Sequence, residues 1–269
     1  MKCFPMLFET GQITWGRRRF PDQERTRLNW GNLLIELSAG DGEVYLASKT
    51  LDDGEVGGDL ERAVVDWTSW AVCTGVDELD LHPAFPDLSI LVRPETLLSL
   101  EPGEVARVWV HIPPSVIVRV KDQLEQTLAE FPTVSLDQKW FGQPGKGELC
   151  YALRSQAGTQ PGLETSEVGI QCPVTIINQS EETLNVTRFC LRVAGLSLYE
   201  SANGLWGNET VVKYQGGANM SRVSLQHGPP QEAIQPTLLS PPRDRGIFRV
   251  VGRTFRTLVG RGEADLSFE

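Results

Sequence analysis

The sequence predicts a mainly β protein: two β-sandwich-like units, residues 1–130 and 131–269, with an amphipathic helix near the C-terminus. Three observations carry that reading. Apolar runs of about five residues recur along most of the chain, separated by turns rich in Gly, Pro and Asp. VARVWVHI (105–112) alternates strictly, with Val108, Val110 and Ile112 on one face and Arg107, Trp109 and His111 on the other. Only two stretches, KDQLEQTLAEF (121–131) and RDRGIFRVVGRTFRTLVGRG (243–262), space their apolar residues as a helix would.

Taken in order, LLIEL (33–37) and EVYLA (43–47) flank SAGDG, a hairpin signal. An acidic loop, LDDGEVGGDLE (51–61), precedes VVDWTSWAV (64–72), a strand in which tryptophans three apart do not fit one face and point to a bulge or a bend. LSILV (88–92) and LLSL (97–100) are strands. EPGE (101–104) is a tight turn with Pro102 at its first central position and Gly103 at the second, where positive φ is needed. VARVWVHI and VIVRV (116–120) follow, and the rhythm is that of an immunoglobulin-like sandwich. In 121–131, Leu124, Leu128 and Phe131 suit a helix ended by Pro132, with a strand of irregular polarity as the alternative.

The second unit opens with ELCYALRS (148–155), then SEVGIQCPVTIINQS (166–180), ETLNVTRFCLRV (182–193), LSLYE (196–200), ETVVKYQ (209–215) and SRVSLQ (221–226), all strands. Pro229, Pro230, Pro236, Pro241 and Pro242 mark an irregular linker. Beyond it, a helix would gather Arg245, Arg249, Arg253 and Arg256 into one stripe opposite Ile247, Val250, Val251, Phe255, Leu258 and Val259. Residues 243–261 hold six Arg and one Asp, a net +5, against −10 for the whole chain. The remainder therefore carries −15, which argues against a nucleic-acid partner. Arg249, Arg253 and Arg256 are the candidate contacts for an acidic protein partner or, peripherally, an anionic membrane. The competing reading packs that helix on the chain's own acids.

The totals exclude several classes. No run of about 18 apolar residues could form a membrane helix. MKCFPMLFETG is interrupted by Glu9 too early for a signal peptide, so a cytoplasmic location is expected. Cys3, Cys73, Cys150, Cys172 and Cys190 are odd in number and form no C-x-x-C pair, which reads as structural thiols in a reducing compartment. The N-x-S/T triplets at Asn178, Asn185, Asn208 and Asn219 then read as chance matches.

KWFGQPGKGELC (139–150) resembles a phosphate-binding loop, but the pattern fails. With Gly145-Lys146 as the G-K pair, the first glycine position holds Trp140 and the magnesium-binding hydroxyl position holds Gly147. GQPGKG is therefore a turn. His82, His111 and His227 are far apart and show no paired spacing, so no metal site is expected. No nucleophile elbow or dinucleotide fingerprint occurs, and no cofactor is implied. Paired acids such as Asp52-Asp53 and Glu181-Glu182 read as solvated turns. The seven tryptophans, Trp15, Trp30, Trp67, Trp70, Trp109, Trp140 and Trp206, fill a core or, alternatively, form a sugar platform.

The segments DLHPAFPDLSILVRPETLLSLEPGE…VHIP, KWFGQPGKGELCYAL, CPVTIINQSEETLNVTRFCLRVAGLSLYE and LWGNETV resemble an uncharacterised family, domain of unknown function 432, over most of residues 25–260. The resemblance offers no catalytic residues to carry over. Its members are often encoded beside small-conductance mechanosensitive channels, which implies a role near such a channel. The expectation is a non-enzymatic interaction protein, accessory to a membrane channel. A carbohydrate-binding module and an unrecognised hydrolase, with a histidine meeting a carboxylate or serine in a cleft, are the alternatives.

Overall fold

A computed structural model describes residues 8–13, 15–19, 25–40, 42–50, 68–71, 78–94, 97–120, 127–142, 147–158, 169–216, 220–244, 249–253 and 255–256. These residues form strands, turns and one 3₁₀ turn at Val193–Gly195. In chain order the strands are β1 (Phe8–Gln12), β2 (Gly16–Arg19), β3 (Arg25–Trp30), β4 (Leu33–Gly40), β5 (Glu43–Thr50) and β6 (Thr68–Ala71). Next come β7 (Glu78–Ala84), β8 (Ser89–Pro94), β9 (Leu98–Leu100), β10 (Val105–Ile112), β11 (Ser115–Val120) and β12 (Thr127–Pro132). β13 (Asp137–Phe141), β14 (Glu148–Gly158), β15 (Ile170–Asn178), β16 (Leu184–Val186), β17 (Arg188–Leu191) and β18 (Leu198–Ser201) follow. The last are β19 (Gly204–Gly207), β20 (Thr210–Tyr214), β21 (Met220–Leu225), β22 (Thr237–Ser240), β23 (Arg249–Arg253) and β24 (Phe255–Arg256).

Two sheets share the smaller core. One runs β1-β3-β4-β5-β6 and the other β12-β11-β7-β2. Leu33, Ile35 and Leu37 of β4 alternate into that core and meet Leu79 and Leu81 of β7 and Val116, Val118 and Val120 of β11. The β4–β5 hairpin is tight: Gly40 pairs with Glu43 and Gly42 takes φ +76°, a left-handed value glycine adopts at little cost.

The larger core lies within a 13-stranded sheet. Strand β10 pairs with β15 along its whole length, and its buried face is Val108, Val110 and Ile112, as its alternation predicts. The EPGE turn forms with Gly103 at φ +84° and the Glu104 amide bonded to the Glu101 carbonyl at 3.0 Å. The pairings trace a nearly closed circuit. β15, β10, β14, β8, β17 and β24 are successive neighbours, and β23, β21 and β20 lead back to β15. Only residue 254 separates β23 from β24. Ile90, Val92, Val110, Cys172, Val174, Phe189, Leu191 and Val212 fill the interior of this ring. Trp15 and Trp30, with ring centroids 4.3 Å apart, pack against both cores.

Three expectations are corrected. Within 121–131, residues from Thr127 onward belong to β12, which pairs with β11; 121–126 lie outside the described residues. A register shift at Val118/Arg119 lets Leu128 and Phe131, three apart, reach the same core, so helical spacing arose from a bulge. The C-terminal helix is not found: residues 249–253 and 255–256 are strands, while 245–248, 254 and 257–262 lie outside the described residues. Val250, Val251 and Gly252 are weak helix formers, and the neighbouring edges of β21 and β17 offer backbone partners that an isolated helix lacks. The proline-marked linker contains β22, a short edge strand between Pro236 and Pro241 that pairs with β18.

Candidate functional site

The stretch that first resembled a phosphate loop is a β-hairpin. β13 pairs antiparallel with β14 from Asp137↔Ala152 to Phe141↔Glu148, and of the residues that join them 143–146 lie outside the described residues. Gly142 sits at φ +105°. A Cβ on Gly147 would lie 2.3 Å from the Phe141 carbonyl oxygen and 2.7 Å from the Trp140 indole nitrogen, so only glycine closes this turn. Lys146 lies outside the described residues.

Strand alternation gives the hairpin two unlike faces. On one, Trp140 opposes Leu149, and both remain open to solvent at 49% and 39%. On the other, Lys139 opposes Cys150 and Phe141 opposes Glu148. This second face continues across the sheet. Cys150 of β14 is in register with Ser89 of β8, and Leu91 of β8 is in register with Cys190 of β17. Cys150 and Cys190 are buried with Leu91 and Phe141 in a small cluster, on the side of the sheet away from the larger core.

The two thiols are in contact, Sγ to Sγ 3.6 Å. Glu148 joins them: its Oε1 accepts from Cys190 Sγ at 3.0 Å and lies 4.0 Å from Cys150 Sγ. Its Oε2 accepts from Arg192 Nε and Nη2 at 3.2 and 2.7 Å. Burial pushes the Glu148 carboxyl up, but the Cys190 hydrogen bond and the Arg192 guanidinium together outweigh it, and the group lies below its ordinary value. The hydrogen bond between the thiols splits them. It lowers Cys150 against burial and the Glu148 charge, and it raises Cys190, with burial and Glu148 acting in the same direction. The shorter contact to the carboxylate, 3.0 Å, is the one made by Cys190. Cys172 stands apart in the larger core, its thiol raised by burial.

Sequence reasoning missed this cluster because it sought cysteine pairs close in the chain. A local signal existed: Glu148-x-Cys150 and Cys190-x-Arg192 each place two polar groups on one strand face. What brings them together, β8 lying between β14 and β17, is a matter of topology.

The other candidates fall elsewhere. Arg249 and Arg253 lie on β23, opposite Ser224 and Met220, and Arg256 lies on β24, opposite Arg188. They therefore do not form one helical stripe. His82 Nε2 contacts Asp80 Oδ2 at 2.8 Å along β7, His111 is half-buried on β10, and His227 is exposed. Trp206 is fully buried and the Trp15–Trp30 pair is tilted by 45°, so these rings form no open platform. Glu181 and Glu182 are exposed, and Asp52 and Asp53 lie outside the described residues, as do Cys3 and Cys73. Asn178 is buried, donating from Nδ2 to the carbonyls of Leu100 and Glu182, and Asn208 donates to the Gly228 carbonyl. These two triplets serve the fold and are not open to glycosylation. Among the described residues no helix is long and apolar enough to cross a membrane.

These features define a mainly β protein with a buried thiol–carboxylate cluster beneath a β-hairpin. The chain belongs to a family described as "Protein of unknown function (DUF432)", whose profile matches residues 14–259. No curated protein and no solved structure matches it.

Proposed function

We propose that this chain is a non-enzymatic interaction protein, an accessory to a membrane channel, and that it docks through the β13–β14 hairpin. The carrying observation is the cross-strand pair Trp140–Leu149, two large apolar side chains exposed side by side. A tryptophan can bury roughly 150–250 Å² in a contact, and such residues dominate interface energetics. Among the described residues β13 pairs only with β14, so its outer edge is available to an extended segment of the partner. The partner expected is a small-conductance mechanosensitive channel, from the gene neighbourhood that family membership implies. Arg249, Arg253 and Arg256 supply a second, electrostatic contact.

Affinity capture with the detergent-solubilised channel tests this reading. Trp140→Ala combined with Leu149→Ser is expected to reduce channel recovery at least tenfold while the melting temperature stays within a few degrees. Reversing Arg249, Arg253 and Arg256 to Glu is expected to cost less, with the loss greatest at low ionic strength and shrinking as salt is added. Failure of the parent protein to recover the channel would sink the proposal. Equal recovery by the parent and the hairpin variant would remove the contact from β13–β14.

A further inference from the structure

We propose that Glu148, Cys150 and Cys190 form a binding site for a thiophilic divalent ion, with zinc as the ion of choice. This inference does not rest on the docking reading. It begins with distances. Zinc–sulfur bonds of about 2.3 Å at a tetrahedral angle place two sulfurs about 3.7 Å apart. The Cys150 and Cys190 sulfurs are 3.6 Å apart. A zinc–oxygen bond of about 2.0 Å puts the carboxylate oxygen about 3.5 Å from each sulfur. The Glu148 Oε1 distances of 3.0 and 4.0 Å straddle that value. All three donor atoms lie within 4.8 Å of one another. An ion needs only a small shift of Glu148 to sit among them.

Charge favours the same ion. Two thiolates and one carboxylate carry −3. A divalent ion with the Arg192 guanidinium, which holds Glu148 Oε2, brings the cluster to zero. Monovalent copper would leave one negative charge buried, a costly state in an apolar setting. The carboxylate is also a harder ligand than copper(I) selects. Leu91 and Phe141 close the apolar side. Ser89, bonded to Glu148 and in register with Cys150, helps hold the carboxylate toward the thiols. Three protein ligands leave the fourth position to water or to a group from outside.

A disulfide is the competing fate of this pair. β14 and β17 are not neighbours; β8 runs between them. An S–S bond of about 2.0 Å would draw the sulfurs together from 3.6 Å, whereas zinc takes them at about the separation they already have.

The test uses the full reduced chain, stripped with a chelator and titrated with zinc alone against a competing chromophoric chelator. One equivalent is expected to bind. Cys150→Ser and Cys190→Ser are each expected to weaken binding at least tenfold, and Glu148→Gln less. Cys172→Ala, at a thiol in the larger core, is expected to retain the full equivalent. Cobalt(II) in place of zinc is expected to give sulfur-to-metal charge-transfer absorption in the parent, an observation that needs no variant to fold. Zinc is also expected to raise the parent's melting temperature. Failure of the reduced parent to bind zinc, binding unchanged in either folded serine variant, or cobalt binding without the charge-transfer band would each overturn the proposal.

Discussion

Two arginine–glutamate pairs in this molecule look alike and behave differently. In the smaller unit, Arg27 and Glu36 face each other across β3 and β4, with Arg27 Nε 2.9 Å from Glu36 Oε1 and both side chains under a tenth exposed. Near the hairpin, Arg192 and Glu148 are more open, and the arginine grips Oε2. In the first pair, Arg27 Nε and Nη2 both converge on the one oxygen Oε1 of a carboxylate that is itself buried. The second commits one carboxylate oxygen to the arginine and presents the other to two thiols. The lesson is that an ion pair becomes a site when its geometry leaves a charged atom aimed at further chemistry. Burial alone makes it structure.

Breaking the buried pair should have the largest effect. Arg27→Met leaves the Glu36 carboxylate without its main counter-charge in a site only 3% exposed. Such a truncation costs about 3–5 kcal/mol, and denaturant unfolding would read it. Replacing both members, Arg27→Met with Glu36→Leu, should recover most of that loss, because no orphaned charge remains. Stability unchanged in the single variant would show that the pair is not desolvated as described.

The hairpin turn comes next. Gly147→Ala sets a methyl group against the Phe141 carbonyl oxygen, a backbone atom that cannot simply rotate away. Overpacking of this kind costs about 1–3 kcal/mol. The strain falls on the strand that carries Glu148 and Cys150, so the same variant should also loosen the thiol cluster. Faster thiol modification at Cys150, read by mass spectrometry, checks this.

Arg192→Met is smaller again in stability, about 1 kcal/mol, since the pair is partly solvated. Its distinguishing effect is chemical. Without Arg192 the proposed ion site carries an uncompensated negative charge, and zinc affinity should fall about 10–100-fold, as it does when outer partners of metal ligands are removed. A stability loss as large as that of Arg27→Met would erase the contrast between the two pairs.

The legible parts of this fold were those governed by neighbours in sequence. The strict alternation of 105–112, the Pro102-Gly103 turn and the β4–β5 hairpin with Gly42 at positive φ all follow from backbone preferences within a few residues. Errors arose where distant partners decided. Leu128 and Phe131 have helical spacing, yet β11 and a bulge make them strand residues. Val250 and Val251 fit a helical face, yet β21 takes them as an edge partner. Pro236 and Pro241 forbid a central strand but permit the four-residue edge strand between them. The thiol cluster was least legible, because Cys150 and Cys190 are forty residues apart and meet only through the placement of β8.

The smallest stability effect should come from Trp140→Ala. The indole is half exposed and sits on an edge strand, so its removal should change folding stability by no more than about 0.5 kcal/mol. The same change should weaken channel recovery severalfold, since a solvent-facing tryptophan beside Leu149 contributes where a partner covers it. Here the comparison between the faces of one hairpin becomes sharpest. Trp140 and Leu149 keep 49% and 39% of their surface open to solvent, while one residue away Cys150 and Glu148 are bound to their neighbours. A variant that loses the channel but keeps zinc, and a Cys190→Ser variant that loses zinc but keeps the channel, would establish the two faces as separate devices. Loss of both in either variant would mean that the ion sets the hairpin's shape and that docking depends on it.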